Sequence, residues 1–144
     1  MLSNSIVSAV GIWFFCIKTR RHLYLMRNDK KYNEQWALPG GKIEIGESLM
    51  EAIERECVEE MSFMPDYIKI IPVEKFTADG NYFSYHTFFC LVQEEFVPVL
   101  NHEHIGYAWI DSGTVPKPLH PGFWNTLKDE SIYNKIDTLT ALYT

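Results

Sequence analysis

Residues 41–63, GKIEIGESLMEAIERECVEEMSF, decide how this chain reads. They follow a Pro39-Gly40-Gly41 turn and place Glu56, Glu59 and Glu60 on neighbouring turns of one predicted helix. A solvated helix usually mixes signs, because Glu and Lys four residues apart contribute roughly 0.2–0.5 kcal/mol and like charges at that spacing cost about as much. Here Glu51, Glu54, Glu56, Glu59 and Glu60 stand against a single base, Arg55. Something cationic belongs against this helix. Positions 56 and 60 are one turn apart and 59 flanks the same stripe, so three carboxylates can converge on one point. Hard oxygen donors in that arrangement suit Mg2+ or Mn2+. With no Cys-x-x-Cys and no His pair at helical spacing, zinc is a poorer choice.

Outward from the acidic stretch, Ser48 is placed to cap the helix, with Glu51 at the capping-box position. Leu49, Ile53, Cys57 and Met61 form the expected core-facing stripe, and Ala52, Glu56, Glu59 and Glu60 a separate one, so that one face anchors the helix and the other holds ions. Upstream, Ile6 to Ile17 is an apolar run of about 12 residues, too short to span a bilayer and without the basic leader of a signal peptide, and it reads as a buried strand. Lys18 to His22 is the expected turn and Leu23 to Arg27 the returning strand of a hairpin. A polar loop, Asn28 to Gln35, leads to Trp36–Gly41. Downstream, Tyr67–Thr77 and Tyr82–Val92 are aromatic and β-branched runs separated by Ala78, Asp79, Gly80 and Asn81, a second hairpin. A short strand at Tyr107–Ile110 and a helix from Pro121 or Gly122 to about Asp129 follow. Strands with a helix on each side predict an α/β class chain, an α/β/α sandwich around a mixed sheet.

With 144 residues the chain is read as one domain, long enough to bury roughly two thirds of its unfolded surface. Its 13 basic and 19 acidic residues give a net charge of −6, which argues against non-specific association with nucleic-acid polymers or membranes. An anionic substrate therefore needs a metal and a local group of Lys and Arg. Cys16, Cys57 and Cys90 are odd in number and widely spaced, as expected of reduced thiols in the cytoplasm. Without a low-complexity tail or heptad pattern, a purely structural protein is disfavoured.

The stretch resembles the signature of the Nudix hydrolase family, G-x5-E-x7-R-E-U-x-E-E-x-G-U, where U is bulky and apolar. Gly41, Glu47, Arg55, Glu56, Glu59 and Glu60 fall on its fixed positions, and Cys57 and Phe63 on the apolar ones. Trp36, Leu38, Pro39 and Gly40 resemble the family's lead-in. Ser62 departs, standing where the family has the Gly that ends the helix with positive φ, a conformation that costs a non-Gly residue about 1 kcal/mol. The resemblance implies the same α/β/α sandwich over nearly the whole chain. It also implies a hydrolase in which Glu56, Glu59 and Glu60, helped by the Gly41 carbonyl, ligate Mg2+ or Mn2+. Glu59 would serve catalysis as well, and Glu47 and Arg55 would fix its geometry through an ion pair. The expected substrate is a small molecule linked to a nucleoside diphosphate, a nucleotide sugar or nucleoside triphosphate, attacked by water at phosphorus. A homodimer is a further expectation, with the apolar N-terminal strand as an interface edge.

Outside the signature, Glu103 and His104 are the candidates for a general base, Glu103 also for a further metal contact; a polar surface loop explains that segment equally well. Arg27 and Lys42 are the expected phosphate contacts, being nearest the metal loop in sequence, while Lys18, Arg20 and Arg21 suit a solvated turn as well as a ligand. Tyr85 joins the substrate-binding candidates; Trp13, Phe14, Tyr24, Tyr82 and Phe83 are aromatics that stack a purine or fill a core. Tyr85 and His86, His104 before Tyr107 and Trp109, and then His120 resemble the GDP-mannose mannosyl hydrolase branch, which attacks the sugar carbon. That branch lacks part of the acidic triad, which this chain keeps. A Nudix-like sensing module without turnover is the third reading, disfavoured because such modules lose box acids.

Overall fold

In a computed structural model, residues 7–78, 80 and 82–143 are described. The elements in order are β1 (Val7–Cys16), β2 (Arg21–Arg27), β3 (Trp36–Ala37), β4 (Gly40–Lys42), α1 (Leu49–Met61), β5 (Lys69–Thr77), β6 (Phe83–Val92), β7 (His104–Asp111), α2 (Pro121–Leu127) and α3 (Glu130–Leu142). Ile6, Asp79 and Asn81, which the sequence reading assigned to the first strand and the second turn, lie outside the described residues.

The strands form one seven-stranded mixed sheet in the order β3-β2-β1-β6-β5, with β4 also pairing β1 and β7 pairing β2. Both expected hairpins are present. β5 and β6 pair antiparallel from Lys69↔Leu91 to Thr77↔Ser84. β1 and β2 pair only at Phe15↔His22 and Cys16↔Arg21, and then part, which lets β4 pair beside Ala9, Val10 and Gly11. On its other side β1 runs parallel to β6 from Val7↔Phe83 to Cys16↔Val92. β1 is therefore the middle of the sheet, with both backbone edges engaged. This corrects the expectation that the N-terminal strand offers an interface edge for a homodimer.

Alternation along the central strands makes two cores. Val10, Ile12, Phe14 and Cys16 with Phe88, Cys90 and Val92 meet Ala52, Ile53, Cys57 and Met61 of α1. Trp13, Phe15, Tyr24, Phe89 and Leu91 face the other way, against Phe123 of α2 and Ile132 and Ile136 of α3. Each fully buried Leu, Ile or Phe contributes about 1.5–3 kcal/mol, so the sheet is clamped from both sides as the α/β/α sandwich requires. α3 was not anticipated. It is capped by Asp129, whose side chain accepts from the Ser131 N–H, and it is held from the β1–β2 turn by Arg20, which donates to Thr140 O at 2.9 Å and Tyr143 O at 3.3 Å. Lys18 pairs with Glu94, and Arg21 with Asp111 and Glu95. The basic turn is thus used by the fold.

The helix is built as its sequence specifies. Ser48 caps α1 and the reciprocal Glu51 bond completes the capping box, while Ser62 ends it at φ 74° with its N–H donating to Val58 O. The Ser62 hydroxyl donates to Val99 O at 2.8 Å, offsetting part of the strain of a non-Gly residue there. The expected division of faces needs correction. Leu49 is exposed and Ala52 is fully buried, and the buried positions are Ala52, Ile53, Glu56, Cys57, Glu60 and Met61. Glu56 and Glu60 lie on the margin of the face that anchors the helix, not on the opposite side.

His22 is a built-in acid sensitivity of this scaffold. It is buried in β2, with Nδ1 3.2 Å from Phe14 O and Nε2 3.2 Å from the Ser112 hydroxyl, and burial lowers its pKa to about 4. A histidine depressed in the folded state gives stability that is complete above its unfolded pKa of about 6.5 and is lost as pH falls toward 4. The His22 contribution amounts to about 3 kcal/mol over that window. Thermal melts between pH 7 and 4 should show a flatter decline in His22→Asn, which still donates to Phe14 O; an unchanged slope contradicts the assignment.

Candidate active site

The Pro-Gly-Gly turn brings β4 under α1. Gly40 has φ 147° and a Cβ there would stand 2.0 Å from the Val10 carbonyl oxygen; its N–H donates to Glu60 Oε1 at 2.8 Å. A Cβ on Gly41 would stand 2.5 Å from Glu56 Oε1 and 2.7 Å from Glu56 Cδ, so the Glu56 carboxylate lies directly over that glycine. The two glycines predict different outcomes. Gly41→Ala meets only the end of a flexible side chain, so it should cost under about 1 kcal/mol of stability while displacing Glu56 and its function. Gly40→Ala meets backbone at a conformation reserved for glycine and should cost several times more, about 3 kcal/mol or above. Melting temperature and activity measured on both variants separate the two effects; equal destabilisation contradicts this reading.

Arg55 organises the acids. Its Nε donates to Glu47 Oε2 at 2.6 Å and Nη2 to Glu47 Oε1 at 3.0 Å, a two-pronged pair. Nη1 reaches Glu56 Oε1 at 3.0 Å and Glu59 Oε2 at 3.2 Å, and Nη2 also donates to Lys42 O at 2.8 Å. One guanidinium thus fixes three carboxylates and the β4 strand. The Arg55 hydrogen bond holds the Glu47 carboxyl below its ordinary range.

Glu60 is the most enclosed acid, at 4% exposure. Burial pushes its carboxyl well above the usual range; the Gly40 N–H opposes that, and the charges of Glu56 and Glu103 reinforce it. Glu56 is raised by burial, against the Arg55 hydrogen bond. Glu59 is the half-exposed member, at 48% of its side chain. Glu103 approaches from the loop before β7. Asn101 donates to Glu59 O at 2.7 Å, the Glu103 N–H donates to Asn101 Oδ1 at 2.8 Å, and the Asn28 N–H donates to Glu103 O at 2.9 Å. That lattice brings Glu103 within electrostatic reach of Glu56 and Glu60. Asn101 as the tether was not foreseen; its partner is 42 residues away, and no local pattern announces it.

His104, expected as a general base, is instead the first residue of β7, buried at 7% exposure, with no partner for Nδ1 among the described residues. Burial and then the Arg27 charge pull it down to about 4, which leaves a neutral and weakly basic ring at pH 7. Arg27, at the end of β2, exerts its charge on Glu60. Lys42 enters the site through its carbonyl; its side chain is exposed. The Tyr85 hydroxyl lies over Gly11, and burial followed by the Glu60 charge raises its pKa. Trp13, Phe14 and Tyr24 are core residues, and His120 caps α2 by accepting from the Gly122 N–H at 3.0 Å.

A NUDIX domain model matches residues 6–129. The chain belongs to the Nudix family. Over 87 residues it is 37% identical to nucleoside triphosphatase NudI of Escherichia coli, an alignment spanning 53% of this chain and 61% of that one, so the chain spans less than two thirds of this relative's length. The NUDIX domain of Shewanella oneidensis NrtR, crystallised with ADP ribose, superposes with a TM-score of 0.71 at 17% identity, covering 94% of this chain and 90% of the other. The MutT protein of Methanosarcina mazei covers 96% and 97%, with a TM-score of 0.65 at 24% identity. These two likenesses establish the fold.

Nudix enzymes generally use divalent metals. The donors here fit one: the cluster presents carboxylate oxygens, two of its acids are buried like charges with raised pKa values, and Glu56 is seated in a cradle that a Cβ at 41 would fill. Among the described residues, no three such side chains are already drawn into a closed metal-binding set; Arg55 Nη1 stands between Glu56 and Glu59.

Proposed function

We propose that this chain is a Mg2+- or Mn2+-dependent hydrolase that cleaves the diphosphate linkage of a nucleoside diphosphate joined to another group, by attack of water at phosphorus. The observation that carries this reading is the complete acidic set: Glu56 seated over Gly41, Glu56 and Glu59 held by the Arg55–Glu47 fork, and Glu60 held by the Gly40 N–H. Glu56, Glu59, Glu60 and the Gly41 carbonyl are the residues that would hold the cation. When bound it supplies charge neutralisation on non-bridging oxygens, a more acidic water and a stabilised leaving phosphate.

The chain's own residues supply the rest. Arg55, itself held by Glu47, restrains the Glu56 and Glu59 carboxylates on one face of the helix, which limits the reorganisation the reaction needs. Glu103 faces the same cluster and is the better candidate to take the proton from water, because the His104 ring, at about 4, is a weak base. Arg27 is charged and close enough to act on Glu60, and so can receive phosphate oxygens. The likeness to nucleoside triphosphatase NudI supports a nucleoside triphosphate as the first substrate to try. The three buried, unpaired cysteines agree with a reducing compartment such as the cytoplasm.

Running the Mg2+-dependent reaction in heavy-oxygen water tests the point of attack. With a nucleoside diphosphate sugar as substrate, label is expected on a phosphate product. Label on the free sugar would overturn attack at phosphorus in favour of the sugar-carbon route.

A further inference from the structure

Arg27 is held unusually firmly for a residue at a strand end. Its Nε donates to Asp29 Oδ2 at 2.7 Å and its Nη2 pairs with the same oxygen at 2.6 Å, so one edge of the guanidinium is engaged. The other Asp29 oxygen accepts the Tyr32 N–H at 2.6 Å, closing the loop into a turn whose carboxylate is fixed at both ends. The Tyr32 ring lies beneath the guanidinium, with Arg27 Cζ 5.6 Å from its centroid, and His120 packs against the same ring at 4.2 Å. The side chain remains 36% exposed, and Arg27 stands opposite His104 in the β2–β7 register, with the N–H of the next residue, Asn28, donating to Glu103 O at 2.9 Å, which sets it beside the carboxylate cluster.

This is how a guanidinium is arranged when it must meet the oxygens of an anion in a set orientation. A free Arg gives up about 2 kcal/mol of rotamer freedom when it is fixed, and prior anchoring removes much of that loss from the binding step. Asp29 holds the Nε–Nη2 edge, and neither of those bonds uses Nη1. A carboxylate partner placed only to neutralise Arg27 would need neither the Tyr32 N–H bond nor the ring beneath.

We propose that Asp29 and Tyr32 are positioning residues that preset Arg27 to grip the non-bridging oxygens of the phosphate remote from the acidic cluster. The inference deepens the hydrolase reading and rests on it. It requires a substrate with at least two linked phosphates, one held at the cluster and the next by Arg27, so a nucleoside monophosphate should compete poorly with a diphosphate-containing compound.

The test is a double-mutant cycle on Arg27→Ala and Asp29→Ala, read in two ways. The first is KM and kcat with Mg2+ and a nucleoside triphosphate; the second is calorimetric binding of inorganic pyrophosphate in the presence of Mg2+, a readout separate from turnover, and no pyrophosphate binding by the wild type overturns the proposal. Arg27→Ala should weaken pyrophosphate and raise KM by about thirtyfold or more, the loss of a charge-assisted contact. Asp29→Ala should do so by about tenfold, with Asp29→Asn between it and wild type, and kcat should change less than KM. In the Arg27→Ala background, Asp29→Ala should add nothing further. A full additional penalty there, or unchanged pyrophosphate affinity in both single variants, overturns the proposal. Absence of any turnover combined with the expected pyrophosphate losses would instead defeat the hydrolase reading and leave the Arg27 clamp standing.

Discussion

Glu60→Gln is expected to abolish metal-dependent turnover, by about a thousandfold or more, while making the metal-free protein more stable. Both effects come from one cause. Glu60 is buried among like charges, Glu56 and Glu103, and its carboxyl is raised well above the ordinary range by that burial. An acid raised in the folded state stabilises at low pH, and that contribution is lost as pH rises through its folded pKa. At neutral pH the metal-free fold therefore carries the cost, and a neutral amide that keeps the Gly40 N–H bond relieves it, by about 1 kcal/mol or roughly 2–4 °C in melting temperature. Glu59→Gln should lose activity to a similar degree with little gain in stability, since Glu59 is half exposed. Activity assays and melts in EDTA on both variants decide this. Full residual activity in either contradicts the assigned role, and a destabilised Glu60→Gln contradicts the electrostatic account.

The second large effect is at Arg55. Arg55→Ala removes the partner of Glu47, Glu56 and Glu59 together and frees the Lys42 carbonyl. With 22% of its side chain exposed, the site screens those charges only partly, and the expected loss is about 2–3 kcal/mol of stability. Turnover should fall by about a hundredfold or more, because the carboxylates lose their common anchor. Arg55→Lys should rescue part of the stability and little of the activity, since an ammonium cannot bridge Glu47 in two prongs while reaching Glu56 and Glu59. If Lys restores full activity, Arg55 acts as a charge and not as a fork.

How much of this was legible in the sequence depends on the range of each interaction. The capping box at Ser48 and Glu51, the helical spacing of the acids and the two hairpins are local, and all are seen in the structure. The partition of α1 was misread because the anchoring face turned out wider than one stripe. It takes in Ala52 and the margins at Glu56 and Glu60, and burial at that margin is what raises their pKa values. The parallel pairing of β1 with β6 joins residues more than 70 apart and leaves no local mark. α3 did leave one: Asp129 as a cap before Ile132, Ile136 and Leu139 at helical spacing. Only Lys128 and Asp129 separate it from α2, which blurs the boundary between the two helices in the sequence. His104 and Asn101 could not be judged from the sequence, since His104 is buried in β7 opposite Arg27 of β2 and Asn101 reaches Glu59 only where the loop closes onto α1.

Mn2+ binding followed by electron paramagnetic resonance tests the central claim most directly. The wild-type chain should take up Mn2+ at neutral pH, competed by Mg2+. The Glu56→Gln/Glu60→Gln variant, folded and at least as stable, should leave the ion free in solution. Undiminished Mn2+ binding by that variant would contradict the claim that these carboxylates hold the metal.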